Sequence, residues 1–226
     1  MKILVDTSVA RSFAVVGWTD HLVSLSGGCL TVAEGVHGVQ PGDRSELRGI
    51  QDALVLRAES AGLWSGTASR AVAAAHGLEQ LLSLGPARLK VLKPRAAEFA
   101  FAVRLQSRRP EDRTWRKELG AHHRRLDLGE AMTIAIAHHR SLAFASDDSD
   151  ALVLWQALTS SAGKRTVDLL RLLVESGEAE EAAARHVYQL LRTDDLHRLG
   201  GPDWPIATTA AAVPAGAPEM SVAPQR

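Results

Sequence analysis

Short apolar segments that end in polar turns recur along the chain and predict the strands of an α/β protein. Residues 2–5, 29–33 and 141–145 are strand-length runs of mainly aliphatic residues. A fourth candidate is 89–92, which fits a short strand or the approach to Pro94. Longer segments with apolar residues at helical spacing separate these runs. Strands that alternate with helices predict a parallel sheet covered by helices.

Gly and Pro divide the helical segments. One helix is predicted from residue 7 to about residue 25, with Gly17 weakening its middle and Gly27-Gly28 ending it. Two more are predicted between residues 41 and 84, with a break near 62–66. Pro110 interrupts the stretch that follows a predicted helix over 96–106. Further helices are predicted over 131–139, 150–158, 166–174 and 180–191.

Length and composition indicate one globular domain. The chain has 226 residues, of which 46% are hydrophobic and 23% charged, as in ordinary globular proteins. We assign 1–200 to a single domain and predict a disordered Ala- and Pro-rich tail over 201–226. The single cysteine, Cys29, excludes an internal disulfide and a multi-cysteine zinc site. Without a signal-peptide pattern or a run of about 18 uncharged apolar residues, we expect a cytoplasmic protein with no membrane partner.

The basic residues are unevenly distributed. Lys plus Arg and Asp plus Glu both number 26, so net charge points to no partner. From Arg104 to Arg125, however, eight basic residues stand against three acidic ones. Such a stripe suits contacts with phosphates, and a solvated helix face or loop explains it equally well.

Carboxylates follow three of the predicted strands. Asp6 ends the first, Glu34 the second, and Asp147 and Asp148 the strand over 141–145. In a parallel sheet these strand ends share one edge, so the carboxylates are expected to converge there.

Convergent carboxylates repel one another unless they are protonated or neutralised by a cation. Their hard oxygen atoms suit Mg²⁺ or Mn²⁺. One such ion, or a pair about 4 Å apart, activates a water and stabilises the leaving oxygen of a phosphodiester. Asp127 and Glu130 add two carboxylates, and Glu130 lies in the first turn of a predicted buried helix.

Each carboxylate also has an ordinary structural explanation. Asp6 could cap the helix that follows it, and Glu34 could simply end a strand at the surface. Asp127 fits a helix cap paired with Glu130 three residues on, and Glu130 could serve both purposes. Asp147 and Asp148 fit a turn that caps the next helix. The order of the carboxylates and their positions after strands favour a shared site.

Four segments resemble the successive acidic motifs of PIN-domain nucleases. They are Val5-Asp6-Thr7-Ser8-Val9, Thr31-Val32-Ala33-Glu34, Leu126-Asp127-Leu128-Gly129-Glu130-Ala131 and Phe144-Ala145-Ser146-Asp147-Asp148. Within that superfamily, the Asp-x-Gly-Glu-Ala form resembles bacterial and archaeal relatives of VapC-like toxins. The later Thr166-Val167-x-Leu169-Leu170, with Gly177, is similar to the same group.

The resemblance implies an α/β/α sandwich with a central parallel sheet and an Mg²⁺- or Mn²⁺-dependent endoribonuclease, the toxin component of a toxin–antitoxin pair. RNA, an antitoxin protein and a second copy in a homodimer are the implied partners. Thr7 or Ser146 would orient the site. The implied catalytic and metal positions are Asp6, Glu34, Glu130 and Asp148, with Asp147 competing for the fourth, and the candidate RNA contacts are Arg108, Arg109, Arg124 and Arg125.

The spacing departs from a minimal member of the family. Glu34 and Glu130 are 96 positions apart (130 − 34), so an enlarged helical and Arg-rich region is predicted over about 36–125. This region could cap the site, bind RNA or form a partner interface.

Two alternatives to a nuclease stay open. The first is a catalytically silent PIN-like module that binds RNA or protein. The second is a phosphatase or phosphotransferase of the haloacid dehalogenase type, which ranks last because it needs an Asp where Ser8 stands.

Overall fold

Four parallel strands form the centre of the molecule. The computed structural model describes residues 2–38, 44–61, 65–118 and 126–193, together with Leu199 and Trp204. The strands are β1 (Ile3–Val5), β2 (Leu30–Ala33), β3 (Leu89–Leu92) and β4 (Ala143–Ala145). They pair in the order β3-β2-β1-β4, all in parallel. The predicted α/β class with a central parallel sheet is therefore confirmed.

Strand β1 is one of the two inner strands of the sheet, paired with β2 on one side and β4 on the other. Leu4 lies between Thr31 of β2 and Phe144 of β4 in the pairing register. All three residues of β1 are buried, as expected of a short apolar strand with neighbours on both sides. The residue that follows β1 is therefore brought out at the carboxyl edge of the sheet, between two other strand ends.

The helices follow the predicted order, with three local differences, the first being a short helix over Glu34–His37 that was not predicted. The single helix expected before Leu25 is two helices, because Gly17 adopts a left-handed φ of 73° between them. A helix also begins at Pro110 rather than being interrupted there, since proline suits the first helical position. The helices are α1 (Thr7–Val15), α2 (Thr19–Leu25), α3 (Glu34–His37), α4 (Glu46–Ser60), α5 (Gly66–Leu82), α6 (Ala96–Gln106), α7 (Pro110–Glu118), α8 (Leu128–His139), α9 (Ser149–Thr159), α10 (Thr166–Glu175) and α11 (Glu181–Thr193).

The strand order contains a reversal between β1 and β4. The chain runs outward from β1 through β2 to β3, and then returns to the other side of β1 for β4. Because the crossovers are right-handed, the helices between β1 and β3 lie on one face of the sheet, and those between β3 and β4 lie on the other. Helix α8 accordingly packs on β1, β2, β4 and α6, whereas α1 packs with α2, α5 and α10. Such a reversal opens a crevice at the carboxyl ends of the two strands, where ligands bind in open α/β sheets.

The region predicted as a helical enlargement, 36–125, is built into this fold. Helices α4 and α5 pack on each other, and α5 packs on α1. The approach is close at Gly77, where a methyl group would collide with the backbone carbonyl of Ala14. Strand β3 also belongs to this region, so it supplies an edge of the sheet as well as helices.

The carboxyl-terminal part of the chain is described only at a few positions. Trp204 packs against Tyr188, with 5.7 Å between the ring centroids. The rest of the predicted tail, 201–226, lies outside the described residues, as do Arg124 and Arg125. Of the helices in the described ranges, none has the length and apolar character needed to cross a membrane.

Candidate metal centre

Asp6 lies in the crevice between the ends of β1 and β4. Its backbone N–H donates to the carbonyl of Ala145 at 2.9 Å, which continues the pairing of the two strands. The residue is only 4% exposed. Its Oδ2 accepts hydrogen bonds from Ser146 Oγ at 3.0 Å and from Ser8 Oγ at 3.3 Å. The carboxylate is thus held in one orientation at the point where the topology opens a binding crevice.

The same two serines tie the turn after β4 to Asp6. Ser146 Oγ accepts from the backbone N–H of Asp148 at 3.1 Å. Ser8 Oγ accepts from the backbone N–H of Asp147 at 3.0 Å. Each hydroxyl therefore donates to the Asp6 carboxylate and accepts from a backbone N–H of the turn after β4. This explains why small hydroxyl residues follow both strands.

Asp147 and Asp148 have different surroundings. Asp147 Oδ1 accepts from the Thr166 N–H at 2.8 Å, and its Oδ2 accepts from Thr166 Oγ1 at 2.6 Å. Asp147 thus anchors the start of α10. Asp148 uses Oδ1 to cap α9, accepting from the Ala151 N–H at 2.8 Å. Its Oδ2 accepts no hydrogen bond from the described part of the chain.

Glu130 joins the site from the start of α8. The predicted capping box is confirmed, since Asp127 Oδ1 accepts from the Glu130 N–H at 2.8 Å and Glu130 Oε2 accepts from the Asp127 N–H at 2.9 Å. Capping occupies only one oxygen of Glu130. Within the described ranges, Oε1 has no hydrogen-bond donor. Glu130 can therefore cap the helix and serve the site at once.

Glu34 lies at the same sheet edge, one strand away from Asp6. It is the first residue of α3, directly after β2. Its side chain is 40% exposed, and Oε1 lies 3.9 Å from Lys93 Nζ. Glu34 is thus half-buried and has a cationic neighbour.

Glu46 joins the cluster without having been predicted. It is the first residue of α4, whose start is capped by Ser45 through the Arg48 N–H at 3.3 Å. Glu46 Oε2 accepts a hydrogen bond from Thr7 Oγ1, next to Asp6. An acidic residue in a first helical turn is ordinary, so no pattern in the sequence singled out Glu46.

The carboxylates perturb one another. The pKa of Asp6 is raised from 3.8 to about 6, chiefly by burial; the charge of Glu46 adds to the rise and hydrogen bonds oppose it. Burial also raises the pKa of Glu130 from 4.5 to about 7, with Asp127, Asp148 and Asp6 contributing. The pKa of Glu46 is raised by burial and by Asp127. Carboxylates from β1, α4, α8 and the turn after β4 therefore share one electrostatic environment.

The cluster fits a hard divalent cation. None of Asp6, Glu46, Glu130 and Asp148 forms an ion pair with a Lys or Arg of the described residues. A bound cation would offset their repulsion, and oxygen atoms are the ligands that Mg²⁺ and Mn²⁺ prefer.

The side chains are not gathered around a single point. In the ranges described, no three His, Cys, Asp or Glu side chains are grouped as direct ligands of one ion. Mg²⁺ usually keeps several waters and uses only one or two carboxylates, so a hydrated ion suits this spacing.

The arginine stripe has two parts. Arg104 pairs with Asp112 at 3.0 Å, and Arg116 donates to three carbonyl groups at the end of α6. These two cations hold α7 against α6. Arg108 and Arg109 are exposed between the two helices. They are the predicted RNA contacts that lie in the described part of the chain.

Comparisons with protein-family models, curated proteins and solved structures found no match to this chain. Membership of the PIN-domain superfamily therefore stays a prediction from the motifs.

Proposed function

We propose that this chain is a Mg²⁺- or Mn²⁺-dependent endoribonuclease on a PIN-like α/β/α sandwich. The observation that carries the proposal is the buried Asp6 carboxylate at the β1/β4 reversal, sharing its surroundings with Glu130, Asp148 and Glu46. Such a cluster costs stability when metal is absent. A cation that also binds phosphate oxygens explains why the carboxylates are kept there.

Asp6, Glu130 and Asp148 would hold the cation, and Glu34 would approach it from the neighbouring strand. The ion would supply an activated water and stabilise the leaving oxygen of the phosphodiester. Ser146 and Ser8 keep the Asp6 carboxylate oriented toward the crevice. Glu130 and Asp148 each keep one oxygen beyond those used in helix capping.

Asp148 rather than Asp147 takes the fourth acidic position in this proposal. Both oxygens of Asp147 accept hydrogen bonds from Thr166. Moving them to a metal would release the start of α10. Asp148 can bind without losing its cap.

The choice of RNA as substrate has two supports, the motif resemblance and the exposed Arg108 and Arg109. Exposed guanidinium groups suit phosphate contacts of any sequence. The toxin role, the antitoxin partner and the homodimer rest on the motif resemblance alone.

A catalytically silent PIN-like module is the second candidate. It is favoured by the Glu34–Lys93 ion pair, which gives one predicted ligand a protein partner already. It is also favoured by the raised pKa of Asp6 and of Glu130, which brings their neutral forms closer to physiological pH.

Cleavage of single-stranded RNA by the purified protein distinguishes the two. We expect cleavage with Mg²⁺ or Mn²⁺, its loss in EDTA, and its loss in Asp6→Asn. The exposed Asp52 on α4 gives a matched control, since Asp52→Asn removes the same charge away from the crevice. Cleavage that persists in Asp6→Asn would reject the site. If calorimetry detects no Mn²⁺ binding to the unaltered protein, the catalytically silent module becomes the favoured function.

A further inference from the structure

Glu46 connects the helical region to the crevice at the end of β1. It stands at the start of α4, 40 positions after Asp6 (46 − 6), and its Oε2 accepts a hydrogen bond from Thr7 Oγ1. Thr7 directly follows Asp6 in the chain, and Asp6 is buried at the end of β1. Glu46 therefore holds the side chain of Thr7, and with it the backbone position at which the Asp6 carboxylate is attached.

The position of Glu46 is unfavourable for a carboxylate without such a role. Its charge opposes those of Asp6 and Asp127, and its pKa is raised mainly by burial. No Lys or Arg of the described ranges pairs with it. A surface position one helical turn away would avoid these costs.

The start of α8 leaves room for this carboxylate. A methyl group at Gly129 would collide with Glu46 Oε1. Two elements distant in sequence thus both accommodate Glu46. Helix α8 has no side chain at Gly129, and α1 donates a hydrogen bond from the Thr7 hydroxyl.

We propose that Glu46 is a positioning residue of the candidate metal centre, acting through Thr7 to fix the Asp6 carboxylate. The inference rests on the proposed function, because it gives Glu46 a part in that same site. It makes the beginning of α4 a component of the centre rather than a separate lid or partner surface.

The test compares variants that keep or remove the Glu46–Thr7 hydrogen bond. Glu46→Gln and Thr7→Ser retain an acceptor and a donor, whereas Glu46→Ala and Thr7→Val do not. Mn²⁺ affinity is measured by electron paramagnetic resonance, and kcat and KM are measured on single-stranded RNA. Asp52→Asn on the same helix is the control for loss of a charge.

We expect Glu46→Ala and Thr7→Val each to lose about 10- to 100-fold in Mn²⁺ affinity or kcat/KM, as for other residues that orient metal ligands. Glu46→Gln should restore most of that loss, and so should Thr7→Ser. The double variant Glu46→Ala/Thr7→Val should be no worse than either single one, because both remove the same interaction.

Two outcomes overturn the inference while the proposed function stands. One is a Glu46→Ala protein with unchanged Mn²⁺ affinity and turnover. The other is a Glu46→Gln protein as impaired as Glu46→Ala, which would make the charge essential and Glu46 a direct ligand. If the unaltered protein neither binds Mn²⁺ nor cleaves RNA, the proposed function fails and the inference falls with it. Circular dichroism shows whether each variant folds; should Glu46→Ala not fold, Thr7→Val and its rescue by Thr7→Ser decide.

Discussion

Replacing Asp6 by Asn should stabilise the metal-free protein at alkaline pH and abolish the proposed RNA cleavage. Asp6 is buried, and its pKa rises from 3.8 to about 6, chiefly because of that burial. Since one pKa unit corresponds to about 1.4 kcal/mol, the ionised carboxylate costs the fold about 3 kcal/mol. The side-chain amide of Asn can still accept one hydrogen bond, but others are lost. That loss offsets about 1 kcal/mol of the stability gained by removing the buried charge.

The direction of the stability change with pH follows from the raised pKa of Asp6 in the folded state. Below pH 3.8 the carboxyl group is neutral in both states, and its contribution to stability is fully present. As pH rises through 6, the folded protein must also lose the proton, and that contribution is gone. We therefore expect Asp6→Asn to be more stable than the parent by about 1–2 kcal/mol at pH 8 in EDTA. The difference should shrink toward pH 4.

Thermal unfolding followed by circular dichroism measures this difference. For a chain of this size, about 1–2 kcal/mol corresponds to a Tm increase of roughly 2–8 °C. Saturating Mg²⁺ should raise the Tm of the parent and leave that of Asp6→Asn nearly unchanged, because only the parent binds the ion. An Asp6→Asn protein that is less stable than the parent by the same margin at pH 8 and pH 5 would refute the reasoning. Asp52→Asn controls for net charge.

Three further changes test other parts of the structure. Gly77→Ala should lower the free energy of unfolding in urea by at least about 2 kcal/mol, because its methyl group meets the backbone of α1. Gly49→Ala has open space around it and should be neutral or stabilising. Asp147→Ala should lose about 1–3 kcal/mol of unfolding free energy, because the N–H and hydroxyl of Thr166 lose their acceptor, and full stability would contradict the anchoring role. Arg108→Ala/Arg109→Ala should weaken RNA binding and lower the slope of log Kd against log salt concentration; an unchanged slope assigns both residues to a solvated surface.

The strands were predictable because each is a short aliphatic run bounded by polar or glycine residues. The segments 89–92 and 96–106 coincide with β3 and α6 residue by residue. The order β3-β2-β1-β4 was not predictable, since it depends on contacts between segments far apart in the chain. The split between α1 and α2 was missed because glycine inside a helical pattern weakens a helix without always ending it.

Residues of the candidate site were predictable only if a carboxylate follows a strand or lies at the start of a helix with periodic apolar positions. That rule found Asp6 and Glu130, which the structure places in one electrostatic environment. It could not separate Asp147 from Asp148, because the distinction depends on Thr166, which lies 19 positions beyond Asp147 (166 − 147). This rule did not find Glu46, because α4 is placed at the crevice by its packing on α5, α3 and α1.

The helix caps at α8 and α9 have a consequence for dynamics. Asp127 and Glu130 close the first turn of α8, and Asp148 closes that of α9, and Glu130 and Asp148 are also proposed to bind the cation. An ion that orders the free oxygens of Glu130 and Asp148 would restrain the backbone amides that those residues cap. Amide hydrogen exchange at Ala151 and in the first turn of α8 should slow on metal binding, whereas exchange in the middle of either helix should not change.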